Sequence, residues 1–186
     1  MVDISSLWLP IILSSVIVFV ISSIIHMAPL WHKNDYPRIQ DESKIMDALR
    51  PFAIPPGLYL IPRAESSKDM RSPEFAEKMK KGPVVMMTVL PNGAVSMGRS
   101  LSLWFLYLLA VGVMCAYVTG RALPAGAPYL HVFRFAGTTA FLSYAAAVWQ
   151  GTIWYGRPWS LSLKDTFDGL LFALFTAGMF GWLWPR

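Results

Sequence analysis

The chain predicts an all-α integral membrane protein: four transmembrane helices, with a small α+β subdomain inserted between the first and the second. Three observations carry that prediction. Of 186 residues, 55% are hydrophobic and 15% charged, and the mean hydropathy is +0.46, whereas a soluble domain is nearer a quarter charged. Four apolar stretches approach the roughly 20 residues needed to cross the hydrocarbon core. Finally, residues 28–99 hold eleven of the sixteen Lys and Arg. The same composition excludes a disordered chain, and a single cysteine excludes a disulfide scaffold. The net charge of +5 suits the cytoplasmic loops of a membrane protein better than a nucleic-acid site.

The first stretch, about Leu7 to Met27, carries no charge before His26. Asp3 stands where a signal peptide would carry Lys or Arg, and no small-residue cleavage site follows Ile25, so the stretch reads as a retained anchor. Pro29 is expected to end or bend it. The second runs from about Leu101 to Gly120, the third from about Tyr129 to Gly151 and the fourth from about Phe167 to Trp184. Residues 1–27, 28–99 and 100–186 therefore divide into a first helix, a surface subdomain and a three-helix bundle. The Lys and Arg count puts residues 28–99 in the cytoplasm and both termini outside, in a plasma membrane or a bacterial inner membrane.

Small residues four apart form shallow grooves that let another helix backbone come close. Gly112, Ala116 and Gly120 make one on the second span; Ser143, Ala147 and Gly151 another on the third. The fourth carries Gly169, Ala173, Ala177 and Gly181. The first span has no Gly or Ala track, which places it at the periphery.

Nine of the fourteen prolines lie in residues 28–99, so that segment breaks into short elements. Ser72-Pro73 opens a helix and Gly82-Pro83 stops it, with Glu74/Lys78 and Glu77/Lys81 paired four apart. Glu42 to Leu49 reads as a surface helix. Val84 to Leu90 reads as a strand, with Pro91-Asn92-Gly93 turning into a return strand, and Leu58 to Ile61 is a further strand.

His26, His32 and Asp35 form the one cluster with metal-ligand chemistry, suited to zinc, iron or, through His26, a haem. Six residues of helix would set the two histidines about 240° apart, so a site needs the helix to end between them; otherwise they are interfacial polar residues. Arg134 sits a turn inside the third span, where an ionisable side chain costs several kcal/mol unless it has a partner or a route to the headgroups. With Tyr144 and Gln150 it marks that helix as the one to line a cavity. Asp165 and Asp168 are expected to cap the start of the fourth helix. No phosphate loop, dinucleotide fingerprint or hydrolase signature is present. No cofactor is therefore required by the sequence, although a metal or haem has a place to go.

Three functions are compatible with this reading. A non-enzymatic membrane subunit or assembly protein comes first, packing through its small-residue faces by self-association or within a membrane complex, with lipid and no nucleic acid as its surroundings. A small homo-oligomeric channel or transporter lined by the third helix comes second. A metal- or haem-binding membrane enzyme using His26, His32 and Asp35 comes third.

Overall fold

The computed structural model describes residues 1–28, 31–94 and 96–186. The protein is mostly helical with one two-stranded sheet, and it divides into two compact units, residues 37–95 and the remainder.

The smaller unit follows the first helix, α1 (Trp8–Met27), and is built of short pieces, as its prolines require: α2 (Glu42–Leu49), β1 (Gly57–Ile61), α3 (Ser67–Met70), α4 (Pro73–Lys81) and β2 (Val85–Val89). α4 starts where its cap predicts, with the Phe75 N–H donating to Ser72 Oγ at 3.1 Å. Its ion pair is Lys80–Glu77, three residues apart, rather than the expected pairs at four. β2 pairs antiparallel with β1, Gly57 opposite Val89 and Ile61 opposite Val85. The expected return strand after Gly93 is absent among the described residues. β1 supplies the partner instead, because a two-residue turn is not the only way to bring an edge to β2.

The larger unit is a bundle of four helical segments. A 3₁₀ turn (Ile4–Leu7) leads into α1 (Trp8–Met27); α5 spans Met97–Ala122, α6 Tyr129–Phe141, α7 Val148–Tyr155 and α8 Trp159–Trp182. The expectation that Pro29 ends α1 falls outside the described residues, but Ala28 is already extended. α1 packs on α5 and α8, and α6 packs on the same two helices.

α1 is therefore not peripheral. Its inward stripe is Leu7, Ile11, Ser14, Ser15, Val18, Ser22 and Ile25, all buried, while Trp8, Ile12, Val16, Val20 and Ile24 face out. The small residues of this stripe are serines, which a search for Gly and Ala overlooks. Each hydroxyl returns to a carbonyl of the preceding turn, as Ser15 Oγ does to Ile11 O at 2.8 Å, so none of these buried serines is left without a partner.

α6 and α7 are joined by a π turn, Leu142–Ala146. Its extra residue rotates the buried face: Val132, Ala136 and Ala140 step by four, and the next buried residue is Ala145. Ser143 is consequently half-buried and Ala147 exposed, so this segment packs through Ala136, Ala140 and Ala145 rather than through Ser143, Ala147 and Gly151. A Cβ on Gly151 would meet the Arg157 side chain. The other two tracks face neighbours inside the chain. Gly112 lies against Ile11, Gly120 against the Val2 carbonyl, Gly169 against Ala145 and Gly181 against the Tyr129 ring. Ala116, Ala173 and Ala177 are buried beside them.

Two helical segments, Ile4–Met27 and Met97–Ala122, are long and apolar enough to cross a membrane. Of their apolar windows only 39% and 28% are buried within the protein. Val16, Val20, Leu103, Leu106 and Met114 all stand exposed, an apolar surface of the kind that marks a membrane or protein contact.

Candidate functional site

The first turn of α8 decides the site. Gly156 adopts φ +66°, a left-handed cap that Gly accommodates without strain and that closes α7; Pro158 then starts α8 at Trp159. The helix thus begins eight residues before the expected Phe167, and Asp165 and Asp168 lie inside it instead of capping it. Asp165 accepts from Arg157 at 2.5 Å. Asp168 is 4% exposed, and a carboxylate so deep requires partners.

Those partners come from the segment after α1. Trp31 Nε1–H donates to Asp168 Oδ1 at 2.9 Å, and His32 Nε2 donates to Asp168 Oδ2 at 2.7 Å. On its other side His32 Nδ1 meets Asp35 Oδ2 at 2.6 Å, and Asp35 Oδ1 accepts from Lys164 of α8. Two carboxylates, an imidazolium and an ammonium balance to zero. Burial alone would lower the His32 pKa, but hydrogen bonds to Asp35 and Asp168 and their charges outweigh it and raise it above the ordinary 6.5. For Asp35 burial pushes upward, and the bonds to Lys164 and His32 bring it net below its ordinary value.

His26 completes the group. Its ring stacks on that of His32 with centroids 4.7 Å apart and planes within 10°. Its Nδ1 lies 2.9 Å from the Ser22 carbonyl; a carbonyl only accepts, so Nδ1 carries a proton and Nε2 is the ring nitrogen left to serve as a ligand. One ligand atom from each of His26, His32 and Asp168 lies within 4.8 Å of the other two.

The expected trio of His26, His32 and Asp35 is thereby revised. The two histidines do come together, because the helix ends at Met27, but Asp168 is the carboxylate between them and Asp35 stands behind His32. Trp31, Lys164 and Asp168 were not expected. The signal for Asp168 was present: in a helix counted from Pro158, residues 165, 168 and 172 share one face of α8.

Beside the group lies a half-open cavity of about 800 Å³. His26 and Asp168 stand at its polar end, and Trp104, Tyr107, Tyr144 and Phe172 form an aromatic wall. The wall is fixed by hydrogen bonds: Trp104 Nε1–H donates to Ser22 Oγ at 2.9 Å, and the Tyr107 hydroxyl to the Ser143 carbonyl within the π turn at 2.7 Å. Of the three residues expected to line a cavity, only Tyr144 does so. Arg134 and Gln150 are exposed, because α6 turns 132, 136 and 140 inward and 134 lies off that face. His131 is also exposed and takes no part.

Comparison with protein-family models, with characterised proteins and with solved structures finds no match to this chain.

Proposed function

We propose that the chain is a four-span membrane protein that binds a divalent transition-metal ion, zinc or ferrous iron, through His26 Nε2, His32 Nε2 and Asp168 Oδ2. The observation that carries this reading is the convergence of one ligand atom from each of His26, His32 and Asp168 within 4.8 Å, with another polar atom of each side chain already held. His26 Nδ1–H is fixed by a backbone carbonyl, His32 Nδ1 by Asp35 and Asp168 Oδ1 by Trp31. That is the outer shell by which carboxylates, carbonyls and N–H groups orient metal ligands. Two imidazoles and a carboxylate suit zinc or iron and leave coordination positions for a further ligand. Binding there would require the His32 Nε2 proton, which now bridges to Asp168, to leave.

In the membrane reading, the continuous segment α6, π turn and α7 forms the third span and α8 the fourth, each exceeding 20 residues. The metal group then lies at the end of the bundle where α1 leaves and α8 enters, the end that the Lys and Arg count of the sequence assigns to the cytoplasm. Two of the three small-residue tracks that favoured an assembly subunit, those of α5 and α8, are engaged inside the chain, and Arg134, the support for a pore, is exposed.

The test is equilibrium dialysis of the purified full-length chain against zinc or ferrous iron, followed by elemental analysis. One ion per chain is expected, lost in His26→Ala and Asp168→Asn, and bound about 10- to 100-fold more weakly in Asp35→Asn. Wild type without stoichiometric metal, or unchanged binding in His26→Ala, overturns the reading and leaves the network as a clasp between α8 and the exit of α1.

A further inference from the structure

Resting on that metal reading, we infer that the cavity beside the ion receives a long-chain amphiphile with an oxyanion head, such as a long-chain carboxylate. The cavity and the metal group share His26 and Asp168, so anything filling the cavity ends at the ion. Its volume of about 800 Å³ falls within the range of small-molecule sites, and its build matches theirs, a mostly apolar wall with a few convergent polar groups. Met97, Leu101, Val148 and the aromatic wall offer no polar partner along its length beyond Tyr hydroxyls, one of which is already committed to a backbone carbonyl.

Charge selects the head. A divalent ion on two neutral imidazoles and one carboxylate carries a net single positive charge. The remaining carboxylate at the cavity, Asp165, is neutralised by Arg157. An anionic oxygen is the complementary donor for the open coordination position, and burying the tail removes apolar surface from water at about 25 cal/mol per Å². The bilayer concentrates molecules of this kind around the protein.

The experiment uses hexadecanoate carrying a diazirine midway along its chain, irradiated with the zinc-loaded full-length protein in maltoside micelles and mapped by mass spectrometry. Adducts are expected at Leu101, Trp104 and Phe172. Unlabelled hexadecanoate should compete about tenfold better than hexadecanol, since an ion-paired head is worth of order 1.4 kcal/mol. Leu101→Trp, at a partly exposed position that tolerates a larger side chain, should abolish the cavity adducts while zinc stays stoichiometric; Val148→Trp is the second blocking variant. Hexadecyl phosphate as competitor separates the two oxyanion sources, a carboxylate from a phosphate head; the better competitor names the head.

Adducts confined to outward residues such as Val16 and Leu103, or undiminished cavity labelling in both blocking variants, overturn the inference while the metal reading stands. Equal competition by hexadecanol overturns the oxyanion head. Cavity labelling in a chain that takes up no zinc overturns the metal reading and, with it, the role given to the head.

Discussion

The two ends of the helical bundle solve opposite problems. At one end the backbones themselves meet. The Val2 N–H donates to the Gly120 carbonyl at 2.8 Å, the Gly126 N–H to the Pro185 carbonyl at 2.8 Å, and Trp184 Nε1–H to the Pro124 carbonyl at 2.9 Å. Tyr129 covers Gly181, where a Cβ would fall 2.6 Å from its ring. At the other end, thirteen residues back along α8 and so about 20 Å away, the helices stand apart around a cavity and are held by charged side chains. Close packing leaves no room for a ligand, and a cavity lined by His26, Asp165 and Asp168 leaves little close packing. Rigidity at the first end is what allows the second to stay open, because a site must be held by elements whose own positions are fixed.

Breaking the charged end has the largest expected effect. Asp168→Ala removes the acceptor of both Trp31 and His32 and leaves His32 with Asp35 as its one carboxylate, at a cost of about 1–3 kcal/mol for each donor left unpaired; thermal unfolding of the purified protein measures it. Saturating zinc should act in the opposite sense, adding about 2.7 kcal/mol at a hundredfold excess over Kd, and it should add nothing to His26→Ala. At the closed end, Gly120→Val drives a side chain into the Val2 carbonyl, 2.7 Å from the new Cβ. Overpacking of this kind costs about 1–3 kcal/mol, and here it should leave zinc affinity unchanged. If Gly120→Val also released the metal, the two ends would be one cooperative unit and the contrast between them would fail.

The comparison also explains which parts of the fold the sequence made legible. α2 and α4 were found to the residue, α2 from its one-sided Ile45, Met46 and Leu49 and α4 from its Ser72-Pro73 start and Gly82-Pro83 stop. Small-residue tracks located Gly112, Gly120, Gly169 and Gly181 because contact between backbones demands small side chains wherever it occurs. The π turn had no such marker: nothing in Leu142-Ser143-Tyr144-Ala145-Ala146 announces one extra residue, so the inward face beyond Ala140 was assigned to Ser143 and Ala147. At the charged end, His26, His32 and Asp35 were visible as an isolated group. Asp168 was not, because an acid near a supposed helix start has an ordinary explanation in the helix dipole. Moving that start back to Trp159 removes the explanation, and the contact itself joins residues more than a hundred positions apart, which periodicity does not encode.

The smallest effect is a pH dependence confined to the charged end. Without metal, His32 has its pKa raised by Asp35 and Asp168 after burial is overcome. Its contribution to stability is therefore fully present below 6.5 and is lost as pH rises through the raised value. Asp35, lowered by Lys164 and His32 against burial, contributes above its ordinary 3.8 and ceases to as pH falls through its depressed value. Asp168, His26 and Lys164 are the remaining titratable groups facing His32. The metal-free protein should thus be most stable between about pH 4 and pH 6.5 and soften above it. Zinc binding strengthens over that same upper range because the ion replaces the His32 proton. Unfolding curves with and without zinc should therefore converge in acid and separate steadily toward alkaline pH. Parallel curves would mean that the ion does not compete with that proton, and His32 would have to be removed from the ligand set.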